Sequence, residues 1–185
     1  MNVLLTSCGL ETAEIERVFK EMLTKSPEEI KALFITTAAV SAEAVAVLPK
    51  CLADLEKCGI RNENIRVYDL HDPIEGGLYG VYDVVYLCGG NPGYLMRRIN
   101  EGTFRGQLLD FIEAGGIVVG VSAGSMIFAD DMEGNLRLLC CRLDVHFGDD
   151  ECEKAGSYDI NRKERIKLGD RQGIIFKDDK MIIFG

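Results

Sequence analysis

The chain has 185 residues, of which 47% are hydrophobic, and 21 basic against 30 acidic side chains give a net charge of −9 at pH 7. This length fits a single domain, 1–185, with one sizeable core. Lysines and arginines form no phosphate track, and no apolar stretch reaches the roughly 18 residues of a membrane helix, so we expect no nucleic-acid or membrane partner.

Seven cysteines are scattered along the chain without a CxxC pair. That spacing predicts no metal site. The chain also does not begin with the basic-then-apolar pattern of a secretory leader. Together these features predict reduced thiols in a cytoplasmic protein.

Short apolar runs alternate with longer amphipathic segments, which is typical of an α/β fold with a largely parallel sheet. Apolar residues at Ile15, Val18, Phe19 and Met22 keep the spacing of one helix face. The predicted strands are 2–6, 32–37, 65–70, 83–90 and 117–121. The predicted helices are 11–24, a short one capped by Ser26, 42–58, 92–100 and 104–114, and the tail 173–185 predicts a hairpin that turns at Asp178–Asp179.

The strand 117–121 runs into Gly-Val-Ser-Ala-Gly, the pattern of a nucleophile elbow with Ser122 at its centre. Such a serine occupies a strained turn, and larger flanking side chains would collide with the neighbouring strand and helix. Residues 123–132 predict the helix that the motif requires. The alternative interpretation is a tight glycine turn that only packs.

A nucleophilic serine needs a base, and the chain has two histidines. His71 follows a predicted strand, where a loop histidine is usually a solvated surface group. His146 follows an apolar run and comes after the serine, an order that suits a nucleophile followed by its base. A structural histidine is the alternative for His146.

A second glycine-rich loop, Gly89-Gly90-Asn91, ends the strand 83–90. Its N–H groups could form an oxyanion hole. A phosphate site is the weaker alternative, because the loop lacks the Lys and Ser/Thr of a P-loop.

Four segments occur in order: LCGGN (87–91), GVSAGS (120–125), DVHF (144–147) and RKERI (162–166). In this combination the chain resembles the peptidase E family of serine peptidases, which includes α-aspartyl dipeptidase and, more distantly, cyanophycinase. The resemblance implies a three-layer, doubly wound, mostly parallel sheet with helices on both faces, like flavodoxin and the class I glutamine amidotransferases.

The resemblance also assigns roles to residues of this chain. It implies that Ser122 is the nucleophile and His146 the base, with oxyanion donors in the Gly89-Gly90-Asn91 loop, near Gly90, and at the N–H of Ala123. It further implies hydrolysis of small peptides, possibly dipeptides, without a cofactor, by a monomer or homodimer.

Three features depart from that family pattern. Ser122 and His146 are only 24 residues apart, a shorter connection than we expect for the dipeptidases. The acid of the triad is open among Asp130, Asp131 and Glu133, and Asp131 is our choice. Aspartates at 144, 149 and 150 place negative charge around His146, which disfavours an aspartyl substrate.

Two other functions compete with the peptidase. An α/β-hydrolase esterase shares the serine elbow but usually needs a longer chain and an earlier oxyanion loop. An amidotransferase-like binding or regulatory domain with a decayed triad would explain the short connection between Ser122 and His146. Arg162 and Arg165 are interpreted as a solvated helix face together with Glu164.

Overall fold

The computed structural model describes residues 1–72, 74, 76–130, 134–162 and 164–185. Its strands are β1 (Val3–Thr6), β2 (Ala32–Ile35), β3 (Ile65–Tyr68), β4 (Val84–Leu87), β5 (Ile117–Val121), β6 (Leu143–Phe147), β7 (Gly156–Asp159), β8 (Ile166–Gly169), β9 (Gly173–Lys177) and β10 (Lys180–Phe184). Its helices are α1 (Ala13–Met22), α2 (Ala42–Lys57), α3 (Pro92–Glu101), α4 (Phe104–Glu113) and α5 (Ala123–Met126), with 3-10 turns at Pro27–Glu29 and Asn62–Asn64.

An eight-stranded sheet in the order β3-β2-β4-β5-β1-β9-β10-β7 forms the centre of the molecule. The five strands from β3 to β1 are parallel, so their carboxyl ends share one edge. The tail folds back as antiparallel β9 and β10, and β7 pairs with β10. Strands β6 and β8 form a separate parallel pair.

Side chains on successive strand residues point to opposite faces of the sheet. On one face, Leu4 and Phe34 pack in a core with residues of α1 and α2. On the other face, Leu5 and Val85 pack with residues of α3, α4 and α5. The molecule therefore has three layers, and the predicted fold class is confirmed.

Side-chain caps begin three of the helices. The side chains of Thr12, Ser41 and Asn91 accept hydrogen bonds from the backbone three residues on, at the starts of α1, α2 and α3. No helix among the described residues is long and apolar enough to cross a membrane.

Most predicted elements are present with slightly shifted ends, and the hairpin turns at Asp178 and Asp179, both with positive φ. One helix prediction was too long, because α5 ends at Met126. The predicted short helix after Ser26 is a 3-10 turn, and Ser26 does not cap it with its side chain. The prediction that Arg162 and Arg165 lie on a helix face was wrong, because both residues lie in the connection between β7 and β8.

Candidate active site

Ser122 lies on a sharp turn between β5 and α5, with φ 50° and ψ −112°. The flanking glycines make this turn sterically possible. A Cβ on Gly120 would lie 2.5 Å from the carbonyl oxygen of Gly124, and one on Gly124 would lie 2.2 Å from that of Leu87 on β4. The strand in front and the helix behind can approach this closely only because both flanks lack side chains.

Hydrogen bonds to β1 hold the turn in place. The N–H of Ser122 donates to the carbonyl of Thr6 at 2.9 Å. The fully buried Ser125 hydroxyl accepts from the N–H of Thr6 at 3.1 Å and lies 2.7 Å from the carbonyl oxygen of Gly120. The elbow is therefore fixed to the sheet on both sides of the serine.

His146 faces Ser122 from β6. Its Nε2 lies 2.8 Å from Ser122 Oγ. A bulge between Asp144 and Phe147 inserts one extra residue opposite β8, and His146 takes a positive φ of 66° there. Its backbone N–H donates to Ser7 Oγ at 2.8 Å, which fixes the bulge against the end of β1.

The other ring nitrogen of His146, Nδ1, lies 2.9 Å from Asp170 Oδ1. Strands β6 and β8 are parallel and Phe147 pairs with Gly169. His146 and Asp170 are each adjacent to one residue of this pair, so they lie at the same edge of the two strands. Among the candidate acids, Asp131 and Glu133 lie outside the described residues. Asp130 forms an ion pair with Arg137, 2.8 Å away.

Three donors converge on one oxygen of Asp170. Ser7 Oγ lies 2.9 Å, Cys8 Sγ 3.0 Å and His146 Nδ1 2.9 Å from Oδ1. Burial alone would raise the pKa of Asp170, but hydrogen bonds from Cys8, His146 and Ser7 outweigh it and hold the pKa below its ordinary value. Burial, followed by the hydrogen bond to Asp170, raises the pKa of Cys8 to about 12, so the thiol stays protonated.

The loop after β4 approaches the serine closely. A Cβ on Gly89 would lie 3.2 Å from Ser122 Cβ, and Gly90 has φ 138° with Ala38 in the space that a side chain would need. Asn91 has a structural role, since its side chain caps α3 and its N–H donates to Ala38. Within the described part of the chain, no carbonyl accepts from the N–H of Gly90 or Ala123, so both donors are available.

A pocket of about 330 Å³ opens over Ser122 and His146. Its apolar wall consists of Ala44, Val47, Leu48 and Val121. Lys50 and Glu11 also line it and form an ion pair with each other. The pocket therefore combines an apolar surface with a charge pair that is already neutralised.

The second histidine occupies a different place. His71 is exposed, with Nδ1 2.7 Å from Asp69 and Nε2 2.9 Å from the Tyr94 hydroxyl. In the described ranges no contact joins it to Ser122.

Sequence reasoning missed Asp170 and the contributions of Ser7 and Cys8. A usable signal existed for Asp170, because Leu-Gly-Asp ends an apolar-alternating segment that begins at Ile166. Recognising it required knowing that this segment pairs in parallel with the strand of His146.

Solved structures share this fold. A peptidase E protein from Listeria monocytogenes EGD-e superposes with a TM-score of 0.72 at 18% identity, covering 99% of this chain and 97% of that one. A peptidase from an acI-B1 actinobacterium superposes with a TM-score of 0.66 at 15% identity, covering 99% and 86%. A search of curated proteins found no match.

A family model described as peptidase family S51 matches residues 3–136. The matched segment includes the Gly89-Gly90 loop and the Ser122 elbow but ends before His146 and Asp170. It covers well over half of the chain and favours a peptidase over a decayed binding domain. The chain therefore belongs to peptidase family S51, a family of serine-type peptidases.

Proposed function

We propose that the protein hydrolyses short peptides through an acyl-enzyme on Ser122, with His146 as general base and Asp170, rather than Asp131, as the orienting acid. One observation carries this proposal: an unbroken hydrogen-bond chain runs from Ser122 Oγ through both nitrogens of His146 to Asp170 Oδ1. Nucleophile, base and orienting acid are the three groups that acyl transfer to serine requires.

The hydrogen bond to Asp170 sets the tautomer of His146. With the ring proton on Nδ1 and donated to the carboxylate, Nε2 is left with a lone pair that accepts the Ser122 proton. Ser122 Oγ then bonds to the peptide carbonyl carbon, and His146 passes the proton to the departing amine as the C–N bond breaks. Water then attacks the acyl carbon as His146 takes its proton, and the C–O bond to Ser122 breaks as His146 returns that proton to Oγ. The carboxylic acid product leaves and Ser122 is free again.

The developing oxyanion needs donors near the nucleophile. We propose the N–H groups of Gly90 and Ala123 for this role, as the resemblance implied. Their support is the close approach of the Gly89-Gly90 loop to Ser122 and the absence, within the described residues, of a carbonyl that occupies either N–H. Preorganised donors of this kind contribute about 3–4 kcal/mol each to transition-state stabilisation.

The lining of the pocket supports a preference among small peptides. Its apolar wall of Ala44, Val47 and Leu48 suits an uncharged side chain, and the cation of Lys50 is taken up by Glu11. We therefore propose small peptides, dipeptides included, with an apolar residue on the acyl side.

We also propose a cytoplasmic location. Its support is the set of thiols that form no disulfide: Cys8, Cys51, Cys58, Cys88, Cys140 and Cys152. Persistent thiols of this number suit a reducing compartment.

Labelling with a fluorophosphonate probe, followed by mass mapping of the adduct, tests the proposed nucleophile. We expect one adduct, on Ser122, in the wild type, because Nε2 of His146 removes the hydroxyl proton. His146→Ala should abolish labelling. His71→Ala is the matched control and should label normally, since His71 contacts Asp69 and Tyr94 instead. A folded wild type that stays unlabelled would contradict the proposal.

A further inference from the structure

Three potential metal ligands converge at the ring nitrogen of His146 that does not face Ser122. Cys8 Sγ lies 3.0 Å from Asp170 Oδ1 and 3.6 Å from His146 Nδ1, and the latter two atoms are 2.9 Å apart. The three residues come from three parts of the fold: the end of β1, strand β6 and the end of β8. The proposed catalysis uses the histidine and the carboxylate directly, whereas the thiol only donates a hydrogen bond to Asp170.

The donor set matches the preferences of a thiophilic divalent cation. Thiolate, imidazole and carboxylate bind Zn²⁺ at about 2.0–2.3 Å, which in a tetrahedral site separates the ligand atoms by about 3.3–3.6 Å. The observed separations of 2.9–3.6 Å reach that geometry through shifts of about half an ångström. Ser7 Oγ donates to Asp170 and would orient this ligand, as hydrogen-bond partners of metal ligands do.

We propose that Zn²⁺ and similar thiophilic ions bind Cys8, His146 and Asp170 and thereby inhibit the peptidase. Binding does not depend on the proposed function, whereas the inhibitory effect rests on it. The pocket over Ser122 includes Cys8 and His146, so it offers a path for the ion to enter.

Inhibition follows from the tautomer of His146. A neutral imidazole carries one ring proton, and a metal bound to Nδ1 leaves that proton on Nε2. Nε2 then has no lone pair with which to accept the Ser122 proton. The ring proton moves from Nδ1 to Nε2, so the imidazole releases none, and the Cys8 thiol releases one proton to solvent because a coordinating thiol is deprotonated.

Titration of Ser122→Ala protein with Co²⁺ tests binding without any need for activity. We expect one ion per chain and a thiolate-to-cobalt charge-transfer absorption. Adding Cys8→Ala should remove that absorption and weaken binding by more than about 100-fold, since even loss of a ligand's hydrogen-bond partner costs about 10–100-fold. Cys140→Ala in the same Ser122→Ala protein removes an exposed thiol elsewhere. It should change neither the absorption nor the affinity for Co²⁺. Binding that survives Cys8→Ala, or a spectrum without thiolate character, overturns the site.

Hydrolysis assays test the second half of the proposal. Zn²⁺ should inhibit the wild type at concentrations that match its dissociation constant, and a chelator should restore the original rate. The same Zn²⁺ concentrations should leave Cys8→Ala at its own metal-free rate. Occupancy without inhibition overturns the inhibitory role. A wild type with no hydrolytic activity counts against the proposed function, while the Co²⁺ titration still decides the site.

Discussion

At the scale of single residues, Ser7 joins the two halves of the site. Its hydroxyl accepts the backbone N–H of His146 and donates to Asp170 Oδ1. It is buried at the end of β1 and therefore ordered by the main sheet. One hydroxyl thus fixes the backbone of the proposed base and the carboxylate of the proposed acid relative to each other.

Asp170→Asn should lower kcat by about 10²–10⁴-fold, because an amide no longer stabilises the imidazolium or holds the ring proton on Nδ1. Steady-state hydrolysis of a small peptide measures the effect. Asp131→Asn is the matched control and should keep the wild-type rate. Loss of activity in Asp131→Asn with Asp170→Asn unaffected would return the role of acid to Asp131.

At the scale of elements, the elbow depends on the contact between α5 and β4. The carbonyl of Leu87 lies against Gly124, and the carbonyl of Gly124 lies against Gly120. These are backbone atoms of packed elements, which have no rotamer through which to move aside. Helix α5 has only four residues. This length is enough for the elbow, because the elbow needs only the first turn of the helix next to Ser122.

Gly124→Ala should therefore destabilise the fold by at least the about 1–3 kcal/mol that overpacking costs and should also abolish Ser122 labelling. Urea unfolding measures the first effect. Gly106→Ala is the control: it lies inside α4 with nothing near its Cβ position and should stabilise by about 0.5–1 kcal/mol. Equal stability of the two variants would show that the elbow tolerates a side chain.

At the scale of the whole molecule, net charge matters for the choice of substrate. The chain carries −9 at pH 7. Asp149, Asp150 and Glu151 are exposed just after β6. An acidic peptide therefore approaches the site against like charge.

We expect the KM of an aspartyl dipeptide to fall as ionic strength rises, because the Debye length shortens from about 30 Å at 0.01 M to about 8 Å at 0.15 M. A leucyl dipeptide with the same second residue should show no comparable change. Measuring KM for both peptides across this range is the test. A rise in the aspartyl KM with salt would instead reveal a cationic subsite.

Local patterns predicted most of the fold. The parallel strands were visible as short apolar runs, and the elbow was visible because glycines at 120 and 124 are a steric requirement of the turn. Ser122 and His146 were both proposed from motifs, and the structure brings them within hydrogen-bond distance.

Asp170 could not be predicted in the same way, because its position depends on the pairing of β6 with β8. The candidate acids proposed from the sequence instead lie between the serine and the histidine in the chain. The alternating charges around Arg162 and Arg165 suggested a helix face. There Arg162 pairs with Glu153 of the β6–β7 connection and Arg165 with Asp144 of β6, contacts between distant segments that no local periodicity encodes.

The separate β6–β8 pair has an evolutionary consequence. It lies in an excursion of the chain between β5 and β9, so its length can change without altering any pairing among the five parallel strands. The proposed nucleophile follows a strand of the parallel sheet, whereas the proposed base and acid belong to the excursion. In this chain about half of the His146 and Asp170 side chains is open to water, so a longer excursion would enclose the reaction more deeply.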